Sequence, residues 1–160
     1  MKGLLFLLAL LMGAPVLADE PLDAERAEVL DCVSAVGVST EWNSCLNLAF
    51  APCAEHEVGG EGHLACLTQE RTAWEIVSLR AQDAILPRLS PAGVQSLSAL
   101  MVVWPDYVED KCKAVGESRA AISADAAELG CTISELILLT NELRACGQGR
   151  SEELYCVLGE

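Results

Sequence analysis

The segment from Cys53 to Cys66 carries the most suggestive chemistry in the sequence. Cys53 is separated from His56 by two residues, and His63 is separated from Cys66 by the same spacer, so the set is mirror-symmetric. Zinc binds four Cys and His ligands in a tetrahedron, and two-residue spacers are common in its sites. One hypothesis is therefore a metal-binding module built from Cys53, His56, His63 and Cys66.

The cysteine content favours disulfides over metal ligation. The eight cysteines are Cys32, Cys45, Cys53, Cys66, Cys112, Cys131, Cys146 and Cys156. An even number of cysteines in an exported chain is typical of a disulfide framework, because an oxidising compartment leaves few thiolates to bind a metal. We therefore predict up to four disulfides, no bound metal and no cofactor, with the two histidines on a solvated loop.

Separation along the chain suggests how the cysteines pair. The predicted pairs are Cys112 with Cys131, Cys146 with Cys156, Cys45 with Cys53, and Cys32 with Cys66. The first four cysteines are expected to pair among themselves. Eight cysteines permit on the order of a hundred pairings, so the sequence leaves the arrangement within this N-terminal group open.

The first 18 residues predict a secretory signal peptide. Lys2 precedes an apolar run from Gly3 to Met12, and a small-residue cleavage site follows that ends at Ala18. The run is too short to span a bilayer, and no cysteine follows the site to accept a lipid. We expect a signal peptide at residues 1–18 and a single soluble helical domain at residues 19–160, located in the periplasm or secreted.

The charge of the chain restricts its partners. It has 24 acidic and 10 basic residues, a formal net charge of −14. Loss of Lys2 with the signal peptide leaves 9 basic residues, and 9 minus 24 gives −15. Such a charge repels nucleic acid and anionic lipid and attracts basic proteins. The alternative interpretation is that the acidity only keeps a small exported protein soluble.

The spacing of apolar residues predicts helices throughout and no sheet. The predicted helices are Pro21–Val36, a short one from Trp42 that stops before Pro52, Leu64–Leu86, one capped by Ser90 that continues through Pro105 to a turn at Gly116–Ser118, and one that starts between Ser118 and Asp125 and ends at Gly147. An acidic loop is expected from Ala54 to His63. The predicted fold class is all-α, an antiparallel helical bundle stapled by up to four disulfides.

Catalysis finds little support in the sequence. The nucleophile elbow of a serine hydrolase is missing, and cysteines held in disulfides cannot act as nucleophiles. Adjacent acids such as Glu109 and Asp110 point in different directions on a helix, whereas a general acid needs a desolvated pocket beside its partner. We therefore expect a protein that is not an enzyme.

The spacing of the cysteines and tryptophans in this sequence resembles that of a known protein family. The four N-terminal cysteines followed by a helix with Glu70 and Trp74, and then Trp104 eight residues before Cys112, resemble the LprI-like family of lysozyme inhibitors, which are exported bacterial proteins. The resemblance covers residues 30–145. It departs from the family pattern at Met101, at Glu109 and at Ile137, where the family has Gln, Arg and Arg.

This resemblance implies that the chain binds and inhibits lysozyme-type muramidases. Many lysozymes are basic, so a strongly acidic protein is drawn to them. The cleft of a glycosidase contains two carboxylates, so an element that blocks it needs a neutral or donor tip with its acids at the rim. The candidate partner-binding residues with that composition are Glu55, His56, Glu57, Glu61 and His63. The alternative is a periplasmic envelope scaffold or stress protein without a hydrolase target.

Overall fold

The computed structural model is all-α, as predicted. It describes residues 20–36, 42–119, 123–151 and 155–159. The predicted signal peptide at residues 1–18 lies outside these ranges. The helices are α1 (Glu20–Val36), α2 (Trp42–Phe50), α3 (Glu61–Ile85), α4 (Pro91–Ser118) and α5 (Ala124–Gly147), with short 3-10 turns at Ala51–Cys53 and Leu86–Arg88. In the described ranges there is no strand, only an isolated antiparallel bridge between Leu89 and Leu158.

Serine side chains cap the N-terminal ends of α4 and α5. The Ser90 hydroxyl accepts a hydrogen bond from the Gly93 N–H at the start of α4, and the Ser123 hydroxyl accepts one from Ala126 at the start of α5. Both hydroxyls satisfy a backbone donor that has no partner within the helix. The α4 helix continues through Pro105. This confirms the prediction of one helix, which rested on the unbroken phase of its apolar residues.

Two predicted boundaries are wrong. The α3 helix begins at Glu61, so Glu61 and His63 belong to the helix and not to the loop before it. An acid in the first turn is stabilised by the helix dipole, which favours this early start. The predicted turn at Gly116–Ser118 is the last turn of α4. Gly116 serves close packing there, because a Cβ at this position would lie 2.8 Å from the Ala124 carbonyl oxygen.

The central element is α5. Every residue from Ala126 to Gly147 is buried or half-buried, and the helix packs mainly against α3 and α4. The start of α5 lies beside the end of α4 and the start of α3, and its end at Gly147 lies beside Ile85. Thus α4 runs antiparallel to both neighbours, while α3 and α5 run parallel. A helix enclosed in this way shows no simple amphipathic stripe.

The buried side chains form two clusters along α5. The first core contains Val29, Leu30, Val33, Cys45, Ala49, Cys53, Leu67, Trp74, Ala126, Ile133, Leu136 and Ile137. The second core contains Ile85, Leu89, Leu97, Leu139, Leu143, Cys146 and Tyr155. The half-buried Trp104 packs against both, so the two cores adjoin at α4.

All eight cysteines form disulfides, and two of the predicted pairs are wrong. Cys112–Cys131 and Cys146–Cys156 are confirmed, but the other bonds are Cys32–Cys45 and Cys53–Cys66. Each N-terminal bond joins elements that follow one another in the chain: α1 to α2, and the 3-10 turn after α2 to α3. Cys45 and Cys53 are close in the sequence but do not bond to each other. Cys45 links α2 back to α1, and Cys53 links the 3-10 turn forward to α3.

Candidate functional site

The predicted acidic loop is an ordered structure closed by a disulfide. We call residues 54–60 the acidic loop, and the Cys53–Cys66 bond joins its base to α3. The His56 N–H donates to the Cys53 carbonyl at 3.2 Å, and the Gly60 N–H donates to the Glu57 carbonyl at 2.9 Å. These successive turns restrict the backbone of the loop. The cross-link at its base does so as well.

His63 and Gly59 attach the acidic loop to the rest of the protein. The Gly59 N–H donates to His63 Nδ1 at 3.2 Å. Gly59 has a φ of 79°, a left-handed conformation that favours glycine. A Cβ at Gly59 would also lie 3.1 Å from the Ser123 side chain, so the loop rests on the residue that caps α5. The loop is therefore positioned by both α3 and α5.

The structure separates the predicted partner-binding residues into two roles. Glu55, His56, Glu57 and Glu61 are exposed, whereas His63 is half-buried and holds the loop through its hydrogen bond to Gly59. Between these polar residues, Val58 is 66% exposed. Sequence analysis did not single out Val58. Its signal was present in the sequence, because it is the only large apolar residue in an otherwise polar, glycine-rich segment.

The zinc hypothesis does not fit this geometry. Cys53 and Cys66 are bonded to each other, so neither offers a thiolate. His63 Nδ1 already accepts the Gly59 N–H. Within the described ranges, no group of three or more His, Cys, Asp or Glu residues is arranged to hold a metal ion. The metal-binding hypothesis for this segment is wrong, because the disulfide removes two of its four ligands.

An ion pair between a buried arginine of α1 and a half-buried glutamate of α3 links the two helices. Arg26 is only 3% exposed, and its Nη2 lies 3.0 and 2.9 Å from the two carboxylate oxygens of Glu70. The pair and the fully buried Trp74 line a cavity of about 300 Å³ that is otherwise walled mainly by apolar residues of α1 and α2. The resemblance had named Glu70 and Trp74, but only the structure shows Arg26 as the partner of Glu70.

Three of the ten basic residues lie close together in the structure. Arg26, Arg80 and Arg144 line a second cavity, of about 280 Å³, between α1, α3 and α5. Arg144 also pairs with Asp31, with an Nη2 to Oδ1 distance of 3.2 Å. Since Arg26 pairs with Glu70 as well, two of the three arginines at this cavity have a carboxylate partner.

None of the helices in the described ranges is both long enough and apolar enough to cross a membrane. Comparison with known protein families, with curated proteins and with solved structures finds no match to the chain. The resemblance to LprI-like inhibitors therefore stays a prediction that depends on the spacing of its cysteines and tryptophans.

Proposed function

We propose that this chain is an exported, non-enzymatic protein that binds basic proteins and inhibits a lysozyme-type muramidase. The observation that carries the proposal is the acidic loop, in which the exposed apolar Val58 follows Glu55 and Glu57 on a backbone held by hydrogen bonds and a disulfide, with Glu61 exposed in the first turn of α3 just after it. A neutral residue flanked by acids suits a cleft that has carboxylates at its centre and basic residues around it.

The order of the loop supports binding, because a loop that is already fixed loses little conformational freedom on association. The Cys53–Cys66 bond and the hydrogen bond from Gly59 to His63 provide this order. The net charge of −14 adds long-range attraction toward a basic partner, which raises the association rate at low ionic strength.

The disulfides support export as well. Four such bonds in one small domain are typical of an oxidising compartment, and cytosolic proteins rarely keep them. Together with the signal peptide predicted at residues 1–18, they support a location in the periplasm or outside the cell, where muramidases act.

The proposal is tested by the lysis of cell-wall suspensions by c-type, g-type and i-type lysozymes at low ionic strength. We expect the oxidised protein to slow lysis by at least one class, and added salt to weaken the effect. If a large molar excess leaves lysis by every class unchanged, the inhibitor proposal fails, and the envelope scaffold becomes the better interpretation.

A matched pair of variants tests the role of the loop. Val58→Glu places a carboxylate at the neutral tip, while Leu79→Glu makes the same charge change at a residue of α3 that is 58% exposed. We expect V58E to raise the half-inhibitory concentration about tenfold or more and L79E to change it little. Equal inhibition by both variants would exclude the loop as the inhibiting element.

A further inference from the structure

Three arginine side chains line one cavity of a protein that is strongly acidic overall. We call the cavity of about 280 Å³ between α1, α3 and α5 the arginine cavity, after Arg26, Arg80 and Arg144. None of the described residues that line it is acidic, although the chain has 24 acidic and 10 basic residues. The charge that lines this cavity is therefore of the sign that is rare in the chain.

The other residues that line the arginine cavity are mostly apolar. They include Leu30 of α1 and both Val77 and Ala81 of α3. Thr140 of α5 lines it as well, but its hydroxyl donates to the Leu136 carbonyl at 2.7 Å, so that proton is already bonded. Apolar walls with a few polar groups are typical of sites for small molecules.

Arg144 has hydrogen-bond donors that its ion pair does not use. Its Nη2 atom lies 3.2 Å from Oδ1 of Asp31. Its Nη1 atom is buried and has no hydrogen-bond acceptor within the part of the chain that the structure describes. A buried donor without an acceptor costs free energy, and a guanidinium can donate two parallel hydrogen bonds to one carboxylate. The carboxylate of a bound ligand would supply the acceptors that Asp31 does not.

The ion pair between Arg144 and Asp31 is easily opened. The side chain of Asp31 is 74% exposed and that of Arg144 is 35% exposed. Exposed ion pairs contribute little, because water screens the two charges. A ligand carboxylate can therefore displace Asp31 from Arg144 at a small cost. Arg26 differs, because it is buried and contacts both carboxylate oxygens of Glu70, so we assign no ligand contact to it.

The size and charge of the arginine cavity restrict its ligand. Its volume lies at the lower end of the range for small-molecule sites, so a macromolecule does not enter it. A guanidinium matches both carboxylate and phosphate. The net charge of −14 repels a doubly charged phosphate more strongly than a singly charged carboxylate, and the apolar walls favour a hydrocarbon body.

We propose that the arginine cavity binds small organic monocarboxylates, with Arg144 pairing with the carboxylate and Arg80 adding positive charge beside it. The apolar body of the ligand lies against Leu30 and Val77, and Asp31 competes with the ligand for Arg144. This inference goes beyond the proposed function and does not depend on it, because neither the acidic loop nor a lysozyme takes part.

The test uses hexanoate as the probe, hexanamide as its uncharged counterpart and inorganic phosphate as an anion without an apolar body. Each is titrated into the oxidised protein at neutral pH, and the dissociation constant is taken from the NMR shifts of the backbone amides of Leu30, Val77 and Thr140. We expect hexanoate to bind with a constant on the order of millimolar, as suits so small a ligand. Hexanamide and phosphate should bind about fivefold more weakly or less.

Two ion pairs of the same kind provide matched variants. Arg144→Gln and Asp31→Asn change the pair at the arginine cavity, whereas Arg71→Gln and Glu75→Gln change a pair within α3 that does not line it. We expect R144Q to weaken hexanoate binding about fivefold and D31N to strengthen it about twofold, while R71Q and E75Q change it little. Circular dichroism checks that each variant keeps its helix content.

Tighter binding by D31N than by E75Q, with weaker binding by R144Q than by R71Q, supports the inference. If R144Q does not fold, D31N against E75Q decides alone, because Asp31 is an exposed residue. The inference is overturned if neither difference is found, or if the three amides do not shift with hexanoate. Equal binding of hexanamide would mean that the carboxylate is not recognised, and equal binding of phosphate would mean that the apolar body is not. Either result also overturns it.

Discussion

The two cores along α5 are closed in different ways. The first core contains residues of α1, α2, α3 and α5, and its fully buried Trp74 lines the same cavity as the Arg26–Glu70 pair. The second core contains residues of α3, α4 and α5 together with Leu89 and Tyr155, which lie outside the helices. Part of its cover comes from the C-terminal segment and not from a helix. Thus other helices cover the N-terminal part of α5, whereas the C-terminal segment forms part of the cover over its C-terminal part.

The C-terminal segment is attached by covalent and backbone bonds. Cys156 is bonded to Cys146 of α5. The Ser90 N–H donates to the Val157 carbonyl at 2.7 Å, and the Gly159 N–H donates to the Arg88 carbonyl at 2.8 Å. Residues 155–159 bury Tyr155 against the second core, but five residues outside a helix offer only a small area for packing. The second core therefore depends on the cross-link more than the first core does.

The largest effect is expected from Trp74→Ala. Removing this side chain leaves a large cavity in the first core, and we expect the free energy of unfolding to fall by about 3–5 kcal/mol. Leu143→Ala makes the corresponding change in the second core and should lower it by about 2–4 kcal/mol. Urea denaturation followed by circular dichroism measures both. If the free energy of unfolding falls less in W74A than in L143A, packing between helices is not the main source of stability in the first core.

The ion pair provides the next test of the first core. Glu70→Ala removes the carboxylate whose two oxygens the Arg26 guanidinium contacts, so we expect a loss of about 3 kcal/mol in the free energy of unfolding. The double variant Arg26→Met with Glu70→Leu removes both charges and should recover most of that loss. If the double variant is as unstable as E70A, loss of the charge pairing is not the cause of the destabilisation.

The second core should respond to loss of its cross-link. Cys146→Ala with Cys156→Ala opens a loop of sequence separation 10, and we expect a loss of about 2–3 kcal/mol. Hydrogen exchange should increase first at the amides of Ser90, Val157 and Gly159, because they belong to the attachment of the segment. The control is Cys32→Ala with Cys45→Ala, whose sequence separation is 13. Exchange at Ser90 and Gly159 that increases equally in the control would contradict a local role.

The smallest expected change in the free energy of unfolding concerns Lys111, an exposed residue of α4. Its hydrogen bond to Glu135 raises the pKa of the Lys111 ammonium, and burial opposes the rise only in part. A raised folded-state pKa means that this stabilisation is present below pH 10.5 and is lost as the pH rises through the folded value. The side chain is 40% exposed, so solvent screening limits the contribution to about 0.5 kcal/mol.

Lys111→Met tests this contribution. Wild type should be more stable than K111M at pH 8, and the difference should shrink at pH 11, as measured by urea midpoints. Lys113→Met is the control, because Lys113 is an exposed lysine on the same helix. A difference between wild type and K111M that persists unchanged at pH 11 would show that the ammonium is not its source.

Local chemistry accounts for most of the helix predictions. Ser90, Pro91 and Ser123 act at the starts of helices whatever the rest of the chain does, because capping involves residues within one turn. Pro87 likewise lies just beyond the end of α3. The prediction for the candidate site was less complete. The acids and His56 were identified by composition, whereas the exposure of Val58 and the positioning role of His63 depend on contacts with α3 and α5.

The sequence by itself determined the all-helical class, most of the breaks between helices and the two C-terminal disulfides, because these depend on spacing and capping over short stretches. Tertiary structure alone decided that Cys32 bonds Cys45, that Arg26 meets Glu70 and that α5 is enclosed on all sides. Each of these depends on which helix faces oppose one another. That choice follows from the joint burial of apolar surface by elements far apart in the chain, and no local pattern records it.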